Sequence, residues 1–192
     1  MMKRLVLLFI GFLGAMSMSA QNEFGLYGAL NMSTSSSSQS KSKFGGSIGA
    51  LYNYRLTDTW WIQPRLVLGY QENESKYAAG LTPFFSQWVA TVPVLMSFKA
   101  GLGSDCSLRV NAGPYLQYAA FGRDKRATPT GSTLGWWHLD FGDHFTYGAQ
   151  LGLSVEYGHW MGLADFKHSL RKSVLNLNGF ENTFTLGVGY KF

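Results

Sequence analysis

The chain ends in TFTLGVGYKF, residues 183–192, a stretch in which apolar residues alternate with small or polar ones. The intervening positions hold only threonine, glycine and lysine, while the alternate set is Phe184, Leu186, Val188, Tyr190 and Phe192. A period of two predicts a β-strand with one apolar face and one polar face. If the apolar face contacts hydrocarbon, unpaired backbone groups at a free edge would be costly, so the stretch favours a sheet that closes on itself.

The same alternation recurs along the chain in segments of about ten residues, which is typical of transmembrane β-barrels. We predict eight strands, at 24–32, 44–56, 60–71, 88–99, 108–118, 145–157, 160–168 and 183–192. The strand at 160–168 is the least regular, and its register stays open. The pattern predicts an all-β fold, an eight-stranded antiparallel transmembrane up-and-down β-barrel.

The links between these strands alternate between short and long. Short links lie at 57–59, 100–107 and 158–159, and long ones at 33–43, 71–87, 119–144 and 169–182. Outer-membrane barrels have short periplasmic turns and longer external loops. Aromatic residues at both ends of the strands predict girdles at the two membrane interfaces. The inner girdle comprises Tyr54, Trp60, Phe98, Tyr157, Trp160, Tyr190 and Phe192, and the outer one Phe44, Tyr70, Trp88, Tyr118 and Phe184.

Residues 1–20, MMKRLVLLFIGFLGAMSMSA, predict a secretory signal peptide. Lys3 and Arg4 precede an apolar run, and small residues follow as far as Ala20, which indicates cleavage there. The run is too short to cross a membrane as a helix. We therefore expect a barrel domain at 21–192, exported to the cell outer membrane of a Gram-negative bacterium.

The composition favours the membrane over water. Only 14% of the residues are charged, 16% are aromatic, and 23 are glycines, whereas soluble domains carry about 25% charge. A soluble sandwich or lipocalin-like barrel is the alternative, but it would expose more charge. The net charge of +5 is too mild to predict a nucleic-acid partner. Cys106 is the only cysteine, so no intramolecular disulfide forms.

The polar face of the predicted strands supplies candidate lumen residues. They are Arg55, Gln63, Arg65, Lys99, Arg109, Gln117, Gln150 and Glu156, joined by Asp165 and Lys167 on the seventh strand. An eight-stranded barrel is just wide enough for side chains to fill it, and enclosed charges should pair. The pattern therefore favours a closed polar core, while the basic excess leaves a narrow porin-like channel as the alternative.

The longest predicted link contains GRDKRATPTGSTLGWWHLDFGD, residues 122–143, and offers a candidate binding surface. Its basic side chains could bind the phosphates of lipopolysaccharide, and its tryptophans could stack on a sugar or insert into membrane lipid. The candidate residues are Arg123, Lys125, Arg126, Trp136 and Trp137. Packing of the loop against itself is the alternative. An external protein or glycan ligand is the expected kind of partner.

Enzymatic activity is not expected. His168 and Ser169 invite comparison with barrel enzymes that act on lipid A, but adjacent strand residues point to opposite faces. The two therefore do not form a nucleophile–base pair. His138 and His144 lack further ligands for a metal, so we predict neither a metal nor a cofactor.

The terminal stretch resembles the C-terminal signal of bacterial outer-membrane barrels, in which a final phenylalanine marks the chain for the insertion machinery. The residues that carry the resemblance are Phe184, Tyr190 and Phe192. It implies contact with that machinery and with membrane lipid and lipopolysaccharide.

ATVPVLMSFKAG at 90–101 and NAGPYLQY at 111–118 resemble the PorT-like outer-membrane β-barrel family of Bacteroidota, which are small OmpA/OmpX-type barrels. The resemblance implies the fold and the location. It also gives a reason to accept Pro93 and Pro114 inside strands. A part in a protein secretion system does not carry over on these motifs and stands only as an alternative.

Overall fold

A computed structural model describes residues 22–35, 40–41, 43–75, 84–103, 105–128, 131–136, 144–171 and 179–192. Ten strands form within these ranges. They are β1 (Glu23–Ser35), β2 (Ser40–Lys41), β3 (Lys43–Arg55), β4 (Trp60–Ser75), β5 (Phe84–Gly101), β6 (Cys106–Thr128), β7 (Gly131–Trp136), β8 (Phe145–Tyr157), β9 (Trp160–Ser169) and β10 (Glu181–Lys191). No helix in the described ranges is long and apolar enough to span a membrane.

Eight of these strands close into an antiparallel barrel, as the sequence predicts. The order is β1-β3-β4-β5-β6-β8-β9-β10, and β10 pairs back with β1. The closing seam runs from Gly25 opposite Lys191 to Ser35 opposite Glu181. Beyond it, the backbone N–H of Phe192 donates to the carbonyl of Phe24 at 2.8 Å. Closure removes the free edges that the first and last strands would otherwise have.

The seventh barrel strand, β9, is regular, although its sequence pattern left the register open. Gly162 lies opposite Val155 on β8 and opposite Val188 on β10. Burial alternates along β9, so Asp165 points inward and Phe166 outward. The two well-patterned neighbours thus fix a register that the sequence of β9 specifies weakly.

Three prolines lie inside barrel strands: Pro64 in β4, Pro93 in β5 and Pro114 in β6. The pairing of β3 with β4 is interrupted between Leu51–Arg65 and Tyr54–Ile62, which is where Pro64 lies. A proline has no N–H to donate, so an interruption of the ladder is where it costs least.

The prediction of a long link at 119–144 is wrong over much of its length. β6 continues to Thr128, and β7 folds back on it with Thr128 opposite Gly131 and Arg123 opposite Trp136. The strand period is hard to recognise in GRDKR because that run lacks alternating apolar residues. The backbone pairs there nonetheless.

Beyond the last pair of β6 with β8, Tyr118 with Phe145, the strands continue as what we call the projecting sheet. It comprises Ser40–Lys41 of β2, 72–75 of β4, 84–87 of β5, 121–128 of β6 and Gly131–Trp136 of β7. It lies at the end of the barrel opposite the short turns.

The outer surface of the barrel is apolar. Leu30, Ile48 and Val188 are 72%, 66% and 68% exposed. Aromatic rings contact each other at both ends: the Trp60 and Phe98 centroids lie 5.3 Å apart at the short-turn end, and those of Tyr70 and Trp88 lie 5.5 Å apart at the other. Such an arrangement is expected when hydrocarbon is the solvent for the outer face.

Candidate functional site: the polar lumen and the projecting sheet

Five charged side chains meet in the lumen at the short-turn end. The fully buried Arg109 joins two carboxylates, with Nη2 2.6 Å from Glu23 Oε2 and Nε 2.7 Å from Glu156 Oε1. Lys191 Nζ lies 2.8 Å from Glu156 Oε2 and 3.3 Å from Glu23 Oε2. Lys99 Nζ lies 3.3 Å from a carboxylate oxygen of each acid. Three cations therefore share two carboxylates, and the cluster carries a net positive charge.

A chain of hydrogen bonds leads from this cluster into the barrel. Asn53 Nδ2 donates to Glu23 Oε2 at 2.9 Å, and Gln63 Nε2 donates to Asn53 Oδ1 at 2.5 Å. Arg65 Nε donates to Gln63 Oε1 at 2.8 Å, and its Nη1 lies 2.7 Å from Asp165 Oδ2. Asn53, Gln63, Arg65 and Asp165 are all buried. Paired charges and satisfied amides thus fill this part of the lumen.

The indole of Trp61 underlies the charged cluster. Its ring centroid lies 4.7 Å from Arg109 Cζ, 5.6 Å from Lys99 Nζ and 5.9 Å from Arg55 Cζ. A cation over an indole face is attracted by the ring quadrupole, more strongly where water is excluded. The alternation predicts that Trp61 faces inward, but this role follows only from the three cations around it.

The other half of the lumen is polar but less densely paired. Gln117 Oε1 accepts from Thr91 Oγ1 at 3.2 Å and from Lys167 Nζ at 3.4 Å. The buried Gln150 borders a cavity of about 20 Å³ together with Asp165 and Lys167. A cavity of this size has room for about one water molecule.

One candidate lumen residue lies elsewhere, because Arg55 is at the rim. Its side chain is 34% exposed and pairs with Asp58 in the turn that follows β3. Its Nε donates to the carbonyl of Thr57 at 3.3 Å. Arg55 is the last residue of β3, so the inward face at that position opens onto the turn rather than onto the lumen.

Two members of the charged cluster were not among the sequence candidates. Glu23 precedes the predicted start of the first strand, and Lys191 is the penultimate residue of the chain. Both share the inward face with Gly25 and Gly189. Continuing the alternation by one position before residue 24 would have found Glu23, and Lys191 already lies on the polar face of the predicted strand at 183–192.

Four of the five candidate binding residues lie on one hairpin. Arg123, Lys125 and Arg126 lie on β6, and Trp136 lies on β7 opposite Arg123. Trp137 falls outside the described residues. Within the described part of the chain, β7 pairs only with β6.

His168 and Ser169 make separate contacts. His168 Nδ1 lies 2.7 Å from Asn182 Oδ1, whereas the buried Ser169 Oγ accepts from the backbone N–H of Glu181 at 2.7 Å. The two side chains lie on opposite faces of β9 and do not form a catalytic pair. No group of three or more histidine, cysteine or acidic residues suited to a metal occurs among the described residues.

The terminal aromatic residues lie on the outer face of β10. The Tyr190 ring contacts Trp160 at 5.4 Å and Phe192 at 5.3 Å between centroids. Phe192 also stacks on Phe24 at 5.9 Å, across the closing seam. Phe184 lies at the opposite end of the strand, opposite Met32 and Phe166.

A closed antiparallel barrel with an apolar exterior and a charged, hydrogen-bonded interior is a transmembrane barrel of the outer-membrane class. The chain belongs to the outer membrane protein beta-barrel domain family, whose model matches residues 5–192. This membership supports a location in the outer membrane.

Several solved outer-membrane barrels are similar to this chain. OprG from Pseudomonas aeruginosa has a TM-score of 0.52 at 10% identity, over 89% of this chain and 95% of that chain. Ail of Yersinia pestis has a TM-score of 0.46 at 13% identity, and Neisserial surface protein A one of 0.43 at 16%; each comparison covers 89% of this chain and 97% of the other. At these identities the likeness to OprG shows the fold alone. None of the curated proteins matches the chain.

Proposed function

We propose that this protein is a non-enzymatic outer-membrane barrel that binds a ligand outside the cell through its projecting sheet. The observation that carries the proposal is the β6–β7 hairpin, which extends beyond the last pair of β6 with β8. These residues contribute nothing to barrel closure. Short turns are periplasmic in such barrels, so the hairpin at the opposite end faces the outside.

The residue types on the hairpin indicate the chemistry of the ligand. Residues 123–126 contain three basic residues and one acidic residue, and Trp136 lies opposite Arg123. Arginine and lysine bind phosphate, sulfate and carboxylate groups, and indole rings stack on sugars. Lipopolysaccharide and acidic glycans carry both anionic groups and sugars, and an acidic protein segment carries the anionic groups.

The binding role is tested by deleting residues 123–138. Purified lipopolysaccharide, an acidic glycan and a library of short displayed peptides serve as probes for the full-length protein in nanodiscs. We expect the deletion to abolish binding while the barrel still inserts, as judged by heat-modifiable migration on a gel. Deletion of residues 36–39, another link at the same end, is the matched control and should bind as the parent does. Undiminished binding after the 123–138 deletion would contradict the proposal.

We also propose that the lumen is closed rather than conducting. The support is the charged cluster, in which the buried Arg109 contacts Glu23 and Glu156 and every cation has a carboxylate within 3.3 Å. In planar bilayers we expect no discrete conductance steps. The net positive charge of the cluster favours a narrow anion channel as the second candidate. That channel would show steps whose size changes in Arg65→Ala or Arg109→Ala.

Four further proposals concern lipid A, signal-peptide cleavage, the PorT-like family and secretion. Activity on lipid A would alter the mass spectrum of purified lipid A incubated with the protein, and we expect no change. Signal-peptide cleavage after Ala20 predicts a mature chain that begins at Gln21, measurable as the intact mass. Membership of the PorT-like family rests on the resemblance of 90–101 and 111–118. A secretion role would require a secretion defect in a deletion strain.

A further inference from the structure

The projecting sheet has one long edge strand. Among the described residues it runs β2-β4-β5-β6-β7, with β2 and β7 at its two ends. β2 comprises two residues, whereas β7 comprises six. On the side of β7 away from β6, backbone N–H and C=O groups are paired with no strand in the described ranges.

The sequence of this edge lacks the features that protect edge strands. Proteins commonly blunt an edge with lysine, proline or a bulge. β7 reads GSTLGW, with no charged residue and no proline, and its pairing with β6 is continuous from Gly131 to Trp136. The charged residues of the hairpin lie instead on β6, over 123–126. An edge that is regular and uncharged is a template for another strand.

We propose that β7 is a docking edge, which binds an extended segment of another polypeptide as a further strand of the projecting sheet. This inference rests on the proposed binding function and specifies its mode. Main-chain hydrogen bonds supply most of the affinity in strand addition. Because residues 123–126 carry a net positive charge, the bound segment is acidic.

A second copy of this chain fits the edge poorly. Two copies inserted in the same direction in one membrane are related by an axis along the membrane normal, so their β7 strands run the same way. Identical edges that face each other across a two-fold axis pair antiparallel, which requires the strands to run in opposite directions. A further copy that approaches from another cell would bring the same positively charged residues 123–126, which repel each other, so the partner is a different, acidic protein that approaches from outside.

The first test uses a displayed library of random peptides, about twelve residues long, selected against the full-length protein in nanodiscs. We expect enrichment of acidic peptides over selection on empty nanodiscs. Resynthesis with N-methyl groups on every second residue then tests the backbone. A strand presents alternate N–H groups to opposite edges. N-methylation of either the odd-numbered or the even-numbered peptide residues should therefore weaken binding by tenfold or more, while methylation of the other set should have little effect.

The second test alters the edge itself. Thr133 and Leu134 are neighbours, so one directs its N–H to β6 and the other to the free edge. Of Thr133→Pro and Leu134→Pro, one should abolish peptide binding while hydrogen exchange shows the hairpin intact. Ser132→Ala keeps the backbone unchanged and is the matched control, which should bind as the parent does.

The outcomes separate the two proposals. Strand addition would be overturned if peptides bound equally well whichever alternate residues were N-methylated, and if both proline variants still bound them. If the 123–138 deletion nevertheless abolished that binding, the proposed binding function would still hold. Peptide binding that survives the deletion would overturn both. If no peptide is enriched over empty nanodiscs, strand addition is wrong, and the binding function then depends on the lipopolysaccharide and glycan probes.

Discussion

Charge balance governs the cluster in which Arg109 contacts Glu23 and Glu156. Glu156→Gln would leave three cations with one carboxylate, whereas Arg109→Met leaves two of each sign. Removing one partner of a buried pair costs about 3 kcal/mol or more, because the remaining charges stay buried.

We therefore expect Glu156→Gln to lower the free energy of unfolding in lipid vesicles by about 3 kcal/mol. The double variant Arg109→Met/Glu156→Gln, which restores the parent charge balance, should recover part of that loss. Asp58→Asn, in the exposed pair with Arg55, is the control and should cost less than about 0.5 kcal/mol. A double variant less stable than Glu156→Gln alone would contradict the argument.

Two glycines provide a second comparison at single residues. A Cβ at Gly152 would overlap Asp165 Oδ1, whereas a Cβ at Gly162 would meet nothing within 4 Å. Gly152→Ala must displace the carboxylate that pairs with Arg65, so we expect it to lower the free energy of unfolding by about 1–3 kcal/mol. Gly162→Ala should be nearly neutral when both variants are unfolded by urea titration in lipid vesicles. Equal effects at both positions would show that lumen packing does not limit stability.

The sequence predicts which face of a strand a side chain lies on, but not how deeply that side chain is buried or which residue it pairs with. Arg55 and Arg109 have the same side chain and the same inward parity, yet one pairs at the rim and the other is fully buried. The difference depends on where the strand ends and on which acid lies nearby. Both depend on pairings between strands far apart in sequence, such as the one that brings Glu23 to Lys191.

For whole strands, the alternation predicts the barrel portion of each strand well and the projecting sheet poorly. Within the membrane one face of each strand must be apolar, so the two-residue period can be recognised in segments such as 145–157. Outside the membrane both faces meet water, and a run such as GRDKR at 122–126 carries no period that reveals a strand. In that run the strand is recognised only from its backbone pairing with β7 in the structure.

The closing strand is held to the first strand by its terminal residue as well as by its backbone pairing. The Phe192 ring stacks on the Phe24 ring across the seam, in addition to the backbone N–H that any residue but proline would donate there, so the ring helps to hold the seam at the short-turn end. We expect Phe192→Ala to slow insertion into lipid vesicles, measured as the appearance of the heat-modifiable band. Phe44→Ala removes an aromatic ring that is just as exposed but lies on β3, away from this seam. Equal insertion rates for the two variants would argue against a role for the seam.

For the whole molecule, the sheet closes into a barrel because hydrocarbon, not water, surrounds its outer face. An open sheet in hydrocarbon would leave unpaired backbone groups at two edges, each costing several kcal/mol. The terminal alternation in 183–192 therefore predicts a partner for the last strand, and the pairing of β10 with β1 confirms it. The charged side chains of the lumen come from strands that are distant in sequence and meet only when the barrel closes. No local sequence pattern therefore specifies which of them pair.

The apolar outer face also determines how the mature chain behaves without lipid. Leu30, Ile48, Val188 and their neighbours form a continuous apolar belt that water solvates poorly. In buffer free of detergent we expect the chain to aggregate, as judged by size-exclusion chromatography. Addition of phosphatidylcholine vesicles during dilution from urea should instead give a protease-resistant β-sheet protein, detected by circular dichroism. A folded monomer in plain buffer would mean that the belt is covered by something other than hydrocarbon, and the membrane assignment of every strand would fail with it.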